Sequence, residues 1–437
     1  MSGSKAAGPS SNPLDASARS ASTEPAARTI RQRVRDQYEQ YPYPPRAPLG
    51  SRPVTAFGLM DYVQHVLWPG RPNLRGLRVL DAGCGTGYTA ARVAHDYPEA
   101  EVVGIDLSEA SLAAARAYAD ELEVGDNLTL RRLSIEDAGA LDGRFDYIIA
   151  SGVLHHLADP NAGLSALADK LSPTGGFGIM VYATYGRQPI YMVQDLLGRL
   201  AGEEPLEARV GLARKLLGAW PETHPFRAKD WMDMTWEDDA GLVDLLLHSQ
   251  DRSYTVPEVL SMLGSAGLRL ERFYDPFAYA PSTYAADPDI ARVVSSRPAA
   301  EQATIAELLH GAMRKHAFFA TRTSYQPVHV APEGLVLMAL RPKRSPVFDW
   351  EGAQQEKGNQ GQLVVRRHAF DAVRAVELSA WKALVVGHCD GDRTAEAIFA
   401  MPEVRANVPG PTLDEKLDSY GRFMEQMAAI SLLLFDL

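Results

Sequence analysis

VLDAGCGTG, at residues 79–87, is the most informative stretch of the sequence. Its apolar start predicts a buried strand, and Gly83, Gly85 and Gly87 predict a tight turn that leads into a helix. An acid, Asp81, stands two residues before the first of these glycines. The spacing G-x-G-x-G differs from the G-x-G-x-x-G of dinucleotide-binding loops, and no G-K-[S/T] follows, which excludes a triphosphate P-loop.

Short apolar segments alternate with helix-like segments around this loop. The predicted strands are 78–83, 101–107, 128–134, 145–153 and 176–183. One intervening segment, 108–122, is a predicted helix with Ser108 as its N-cap. Later in the chain we predict a helix over 256–267 and a strand over 268–274, whereas 315–322 and 334–342 compete as the last strand. This alternation predicts an α/β fold, a doubly wound and mostly parallel sheet with helices on both faces.

Asp106 ends the second predicted strand, next to the glycine loop. In a doubly wound sheet, ligands bind beyond the carboxyl ends of the strands, where the strand order reverses. A carboxylate at that point can accept hydrogen bonds from both hydroxyls of a ribose. The loop and Asp106 together predict a site for a nucleoside.

Four motifs, taken in order, resemble those of the class I S-adenosylmethionine-dependent methyltransferases over roughly residues 74–183. They are DAGCGTG at 81–87, GIDLS at 104–108, RFDYIIASGVLHHLADP at 144–160 and LSPTGGFGIMVY at 171–182. The resemblance implies a Rossmann-like sheet of seven strands with a final antiparallel strand. It also implies S-adenosyl-L-methionine as cofactor and a methyl-transfer reaction.

The resemblance also implies which residues bind the cofactor. The glycine loop would hold the methionine moiety, and Asp106 with Leu107 would hold ribose and adenine. Many relatives place an Asp after the third strand to bind the adenine amino group, but Ser134 stands there. The adenine is therefore expected to be held through the backbone near Ile135 or by Glu136. The full expected set is Tyr43, Asp81, Ala82, Gly83, Gly85, Gly87, Asp106, Leu107, Ser134, Ile135, Glu136 and Ser151. Tyr43 is included because a leading aromatic segment often folds over the cofactor in related enzymes.

His155 and His156 are the candidate catalytic residues, because they follow the fourth predicted strand, where cofactor and acceptor should meet. Either imidazole could serve as a general base if the acceptor must lose a proton. The alternative is a hydrogen-bonded structural role.

Residues 184–250 are predicted to form a helical insertion, placed where acceptor-binding lids commonly lie in this fold. The candidate substrate-binding residues in and beside it are Tyr185, Arg187, His248, Asp251 and Arg252. Packing and solvation are the alternative explanation for most of these side chains. No metal site is predicted, because no set of ligands stands at metal-site spacing.

The amino-acid composition limits which classes of partner and which cell compartment are expected. The 437 residues carry a formal net charge of −11, which argues against a nucleic-acid backbone as the main partner. Two cysteines provide no disulfide framework. The sequence has no apolar run long enough for a membrane span and no secretory signal, so a cytoplasmic protein is expected. Self-association into a homo-oligomer stays open.

The chain is expected to divide into several segments. They are a disordered tail at 1–28, a helical and aromatic segment at 29–73, the methyltransferase domain at 74–342, a linker at 343–359 and a helical module at 360–437. In the last segment we predict helices over 375–389, 394–401 and 413–435. This module faintly resembles peptide-binding winged-helix modules and the regulatory region of some bacterial protein-lysine methyltransferases. A docking or dimerising role is the alternative.

The predicted function is methyl transfer to a small molecule, as in specialised metabolism. A protein or peptide acceptor recruited by the C-terminal module is a second hypothesis. A third is a cofactor-sensing or scaffold protein without transfer activity. An NAD-dependent oxidoreductase is disfavoured by the loop spacing.

Overall fold

The computed structural model describes residues 24–45, 56–69, 71, 74–227, 238–285, 287–327, 341–344, 348–349, 363–367, 375–429 and 433–436. A central sheet contains β1 (Arg78–Ala82), β2 (Glu101–Asp106), β3 (Leu128–Arg132), β4 (Phe145–Ser151), β5 (Leu171–Tyr182), β6 (Leu268–Phe273) and β7 (Lys315–Arg322). Its order is β3-β2-β1-β4-β5-β7-β6, and β7 runs antiparallel to both of its neighbours. The predicted seven-stranded, doubly wound sheet is therefore confirmed.

The strand predictions agree with the structure to within a few residues, with one larger difference. β5 begins at Leu171, five residues before the predicted start at 176. Of the two candidates for the last strand, 315–322 is correct. The competing segment lies mostly outside the described residues, and its last two residues begin a short strand in another sheet.

Helices cover both faces of the sheet. In chain order they are α1 (Glu24–Gln40), α2 (Met60–Leu67), α3 (Tyr88–Asp96), α4 (Glu109–Glu121), α5 (Pro160–Lys170), α6 (Thr184–Ala201), α7 (Leu206–Leu217), α8 (Asp239–Leu246), α9 (Val256–Ser265), α10 (Pro288–Ser295) and α11 (Ala299–His310). The Ser108 side chain accepts a hydrogen bond from the Ser111 amide, which confirms the predicted N-cap of α4. Short 3-10 helices lie at Ala56–Gly58, Ile135–Ala140, Leu154–His156, Pro276–Tyr279 and Pro281–Thr283.

Successive residues of the central strands face opposite sides of the sheet, as expected for strand geometry. In β1, Val79 packs into a cluster with residues of α2 and α3, whereas Leu80 packs into a cluster with residues of α5 and α9. Both side chains are almost fully buried. The core is thus two apolar layers with the sheet between them.

The insertion after β5 has an apolar core of its own, as its predicted helices suggest. α6, α7 and α8 enclose a cluster that includes Val193, Val210 and Leu246. Residues 228–237, in the connection between α7 and α8, lie outside the described residues. The insertion therefore forms a separate helical layer beside the carboxyl end of the sheet.

The C-terminal part contains both helices and strands. The helices are α12 (Ala380–Gly387), α13 (Ala395–Ala400), α14 (Pro402–Asn407) and α15 (Leu413–Ala429), and the strands are β8 (Arg341–Arg344), β9 (Phe348–Asp349), β10 (Leu363–Arg367), β11 (Ala375–Leu378) and β12 (Leu433–Asp436). Two helix predictions need correction. Residues 375–378 form a strand and not the start of a helix, and the last helix does not extend to 435, because 433–436 pair with β8.

Several predicted boundaries fall partly on residues that the structure does not describe. Of the predicted disordered tail, residues 1–23 lie outside the described part, and α1 already begins at Glu24. Most of the predicted linker at 343–359 lies outside as well. The division into domains therefore stays a prediction. Among the described residues, no helix combines the length and apolar character needed to cross a membrane.

Candidate functional site

The glycine loop follows β1 and lies beside the point where the strand order reverses. Gly85 has a φ of +52°, and a Cβ atom there would collide with the carbonyl oxygen of Tyr43. A glycine is therefore required both by the backbone angle and by the close approach of the N-terminal segment. The Thr86 hydroxyl donates a 2.7 Å hydrogen bond to the carbonyl of Pro44, which holds this segment against the loop.

Two carboxyl groups lie next to the loop. Asp106 accepts hydrogen bonds of 2.9 Å from the amides of Gly85 and Ser108. Burial raises the pKa of Asp106, although these two bonds oppose the rise. Asp81 is only 5% exposed. Burial and, to a smaller extent, the nearby Asp106 carboxylate together raise the pKa of Asp81 to about 7, against a bond from the Ala90 amide.

A cavity of about 350 Å³ opens between the loop and the carboxyl ends of β4 and β5. Eight of the twelve residues expected to bind the cofactor line it: Tyr43, Asp81, Gly83, Gly85, Asp106, Leu107, Ile135 and Ser151. The other four do not: Ala82, Gly87, Ser134 and Glu136. The Ser134 hydroxyl instead donates a hydrogen bond to Glu136. Ile135 is therefore the one residue of this trio that faces the cavity.

Helix α1 forms the roof of the cavity, with Val34 and Tyr38 in its lining. The carboxylate of Glu39 accepts hydrogen bonds from the Glu109 and Ala110 amides at the start of α4, at 2.9 and 3.0 Å. An acid at that end of a helix is favoured by unpaired amides and by the helix dipole. This contact fixes α1 over the site.

A polar cluster, which we call the inner wall, faces the loop across the cavity. It consists of Tyr38, His156, Tyr182 and Asp244, all of which line the cavity, and His248 behind them. Asp244 is 3% exposed and accepts bonds from the hydroxyls of Tyr38 and Tyr182, at 2.9 and 3.3 Å. Burial raises the pKa of Asp244, and the Tyr38 bond opposes this. The inner wall thus joins α1, β5 and the insertion.

The two imidazoles of the inner wall stack on each other with ring centroids 3.6 Å apart. The Nε2 atom of His248 lies 3.0 Å from the hydroxyl oxygen of Tyr38. The Nδ1 atom of His248 accepts a hydrogen bond from the Gln250 amide. His156 Nδ1 lies 2.7 Å from the Gln250 carbonyl. Burial lowers the pKa of His248 well below its ordinary value, so this ring is neutral near pH 7.

The two predicted catalytic histidines occupy different positions. His156 lines the cavity, whereas His155 lies behind it and packs on the Tyr182 ring at 3.8 Å. His155 is fully buried, and neither ring nitrogen has a hydrogen-bond partner. Burial lowers the pKa of His155 well below its ordinary value, which keeps it neutral.

None of the predicted substrate-binding residues lines the cavity. Arg187 and Asp251 form a buried ion pair of 2.9 Å, one layer behind Tyr182, on whose ring the guanidinium stacks at 3.4 Å. Arg252 lies over the ring of Tyr254. His248 contacts the hydroxyl of Tyr38, which itself lines the cavity. Tyr185 lies near Glu307 and Glu258, on another side of α6.

Sequence reasoning missed Tyr182 and Asp244 as members of the site. One signal was present for Asp244, because a lone acid interrupts the apolar run LVDLLL of a buried helix. Such a buried carboxylate requires hydrogen-bond partners. The sequence could not show that its partner is Tyr38, which stands 206 residues earlier.

Comparisons with known proteins agree with this geometry. A family model described as a methyltransferase domain matches residues 80–177. An uncharacterized protein of Synechococcus sp. is 30% identical over 330 residues, which cover 74% of this chain and 79% of that protein. The ubiquinone biosynthesis O-methyltransferase of Alkalilimnicola ehrlichii is 35% identical over 140 residues, 32% of this chain. The match spans 52% of that enzyme, about half its length.

A solved structure shows the same fold over most of the chain. PKMT2 from Rickettsia typhi, in complex with AdoHcy, aligns with a TM-score of 0.63 at 14% identity. The alignment covers 90% of this chain and 77% of that protein. Because residues 360–437 make up more than a tenth of the chain, the shared fold includes part of the C-terminal module.

Proposed function

The chain belongs to the class I S-adenosylmethionine-dependent methyltransferases, and we propose that its acceptor is a small molecule that binds between the glycine loop and the inner wall. S-adenosyl-L-methionine is the methyl donor of this family and supplies an activated methyl group when bound. The residues present fit that cofactor, since a tight loop without side chains and a carboxylate at the end of β2 border one cavity. The chain is therefore an enzyme, and its acceptor is the open question.

In this proposal Asp106 holds the ribose hydroxyls, and Leu107 and Ile135 contact the adenine. Asp81 and the glycine loop hold the amino acid part of the cofactor, with Tyr43 closing over it. This assignment is supported by the positions of these residues around the cavity. It leaves the inner wall for the acceptor side. Orientation and exclusion of water are the main tasks of these residues, because the methyl donor is already activated.

The observation that carries the small-molecule proposal is the closure of the acceptor side. α1 and the insertion meet above it through the Tyr38–Asp244 bond, and the Gln37 side chain accepts a further bond of 2.8 Å from the Ser249 amide. A small acceptor fits such an enclosed site, where its polar groups find a few fixed partners. A protein acceptor, recruited by the C-terminal module, would instead have to reach the inner wall with a single side chain.

The test separates the two acceptor classes by size. The full chain is incubated with a cell extract and S-adenosylmethionine carrying an isotopically labelled methyl group, and the products are divided by ultrafiltration. We expect the label in the small-molecule fraction. The Asp106→Ala variant should transfer little, whereas Asp126→Ala, at an exposed turn, should match the wild type. Label confined to the protein fraction would contradict the proposal and favour the protein acceptor.

A further inference from the structure

The hydrogen bonds of His156 fix its protonation pattern. A backbone carbonyl can only accept a hydrogen bond, so the 2.7 Å contact with Gln250 places a proton on His156 Nδ1. In a neutral imidazole the other nitrogen then carries a free lone pair. That nitrogen, Nε2, is buried and has no partner, in a side chain that is 5% exposed and lines the cavity.

The other groups of the inner wall are hydrogen-bonded to one another. His248 Nδ1 accepts from the Gln250 amide, so its proton lies on Nε2 and is donated to the Tyr38 hydroxyl. The Tyr38 hydroxyl donates a hydrogen bond to Asp244 Oδ1, and the Tyr182 hydroxyl donates one to Oδ2. Each oxygen of the Asp244 carboxylate thus accepts one hydrogen bond. Within the inner wall, His156 Nε2 is the ring nitrogen that has no hydrogen-bond partner.

We infer that the acceptor atom is a hydroxyl oxygen and that His156 Nε2 is the base that takes its proton. This inference rests on the proposed function of the cavity. The acceptor oxygen forms a bond to the methyl carbon as the carbon–sulfur bond breaks, and the sulfur keeps the electron pair. The hydroxyl proton moves to Nε2, which gives an imidazolium ring whose Nδ1–H still donates its hydrogen bond to the Gln250 carbonyl.

The choice of oxygen over nitrogen follows from proton acidity. A neutral imidazole assists only if the proton becomes more acidic than an imidazolium during the reaction. Methylation of a hydroxyl produces an oxonium, a very strong acid, and meets this condition. Methylation of an amine produces an ammonium, with a pKa of about 10 against about 6.5 for an imidazolium. An imidazole would therefore gain nothing from accepting that proton.

A metal ion is the competing explanation for this cluster. Among the described residues, His156, Asp244 and His248 place ligand atoms within 4.8 Å of one another. A ligating His248 would need a lone pair on Nε2, but Nε2 carries the proton that Tyr38 accepts. A base on His156 uses the same free lone pair and disturbs none of the observed bonds.

The first test replaces the base and keeps its hydrogen bond. His156→Asn retains an N–H donor near the Gln250 carbonyl but offers no base. We expect transfer to the labelled small-molecule fraction to slow by about 100-fold or more, within the usual range for general bases. Affinity for S-adenosylhomocysteine should change by less than about threefold.

The matched control is His95→Asn. His95 also contacts a backbone carbonyl through Nδ1, that of Leu122 at 2.9 Å, but it lies outside the cavity lining. This variant should keep the wild-type rate. Near-normal transfer by His156→Asn, or loss of wild-type activity on treatment with EDTA that is restored by zinc, would overturn the inference.

Two measurements do not depend on the variant. Nitrogen-15 spectra of the histidine-labelled full chain should show the Nδ1–H form of His156, and an Nε2–H form would overturn the inference. With a carbon-13 methyl donor, the chemical shift of the transferred carbon should identify an O-methyl group in the product. An N-methyl or S-methyl product would refute the hydroxyl assignment but leave the methyltransferase function intact. Absence of any transfer by the wild type would refute the proposed function itself.

Discussion

At the scale of single residues, Asp81 has the most informative ionisation. Its pKa is raised from 3.8 to about 7, first by burial and then by the nearby Asp106 carboxylate. Between these two pH values the folded chain holds a proton that the unfolded chain has released. Folding stability therefore falls as pH rises through this window, by at most about 1.4 kcal/mol per pH unit from this residue.

We predict that Asp81→Asn removes this dependence of folding stability on pH. The free energy of unfolding in urea should be measured for wild type and variant between pH 5 and pH 8. The difference between the two should grow in favour of the variant as pH rises and should level off above pH 7. A difference that is constant with pH would show that Asp81 titrates as an ordinary, solvated carboxyl.

Residues inside a local motif could be predicted from the sequence, and residues joined only by the tertiary fold could not. Asp81, Gly85 and Asp106 belong to short strings whose spacing indicates a nucleoside site, and all three line the cavity. Tyr38 and Asp244 meet across 206 residues, and no local pattern indicates that meeting. Arg187 and Asp251 were predicted to contact substrate because they are polar, but they satisfy each other in the interior.

At the scale of elements, α6 contributes residues to two ion pairs, one buried and one exposed. Comparison of the two shows how burial affects the strength of an ion pair. The Arg187–Asp251 pair is 1% and 3% exposed, whereas the Arg199–Asp195 pair is 74% and 65% exposed. Arg187→Met leaves a buried carboxylate without its partner and should lower the free energy of unfolding by about 3–5 kcal/mol. Arg199→Met, on the same helix, should leave the free energy of unfolding nearly unchanged, because exposed ion pairs contribute little.

Urea unfolding at constant pH compares the two variants directly. Similar small losses for both would mean that Asp251 finds other donors. Tyr191 and Gln194 already lie within 3.5 and 3.1 Å of its oxygens and are the candidates.

Element prediction succeeded where periodicity and end signals agreed. Ser108 before an alanine-rich helix and the apolar runs of the first five strands gave nearly correct bounds. It failed at Leu433–Asp436, where LLFD continues the apolar pattern of the preceding helix. A short apolar run is compatible with helix and strand alike, and here the choice depends on pairing with Arg341–Arg344, ninety residues away in the chain.

At the scale of the whole molecule, the C-terminal part packs against the methyltransferase domain, with contacts to α2. Val385, Phe423 and Met424 are almost fully buried and belong to the same apolar cluster as Val79 and Leu77. Lys343 forms a 2.7 Å ion pair with Asp61 of α2. Experiments on acceptor choice therefore belong on the full chain, since removal of the module would expose part of this core.

The account depends most directly on the claim that the cavity beside Gly85 and Asp106 binds S-adenosylmethionine. Calorimetric titration of the full chain with S-adenosylhomocysteine tests it without knowledge of the acceptor. We predict that the wild type binds one molecule per chain. The affinity should be about tenfold or more weaker in Asp106→Ala, because bonds to a carboxylate contribute about 1.5–3 kcal/mol. The affinity of Asp126→Ala should be unchanged. No heat of binding by the wild type, or equal affinity in Asp106→Ala, would contradict the claim.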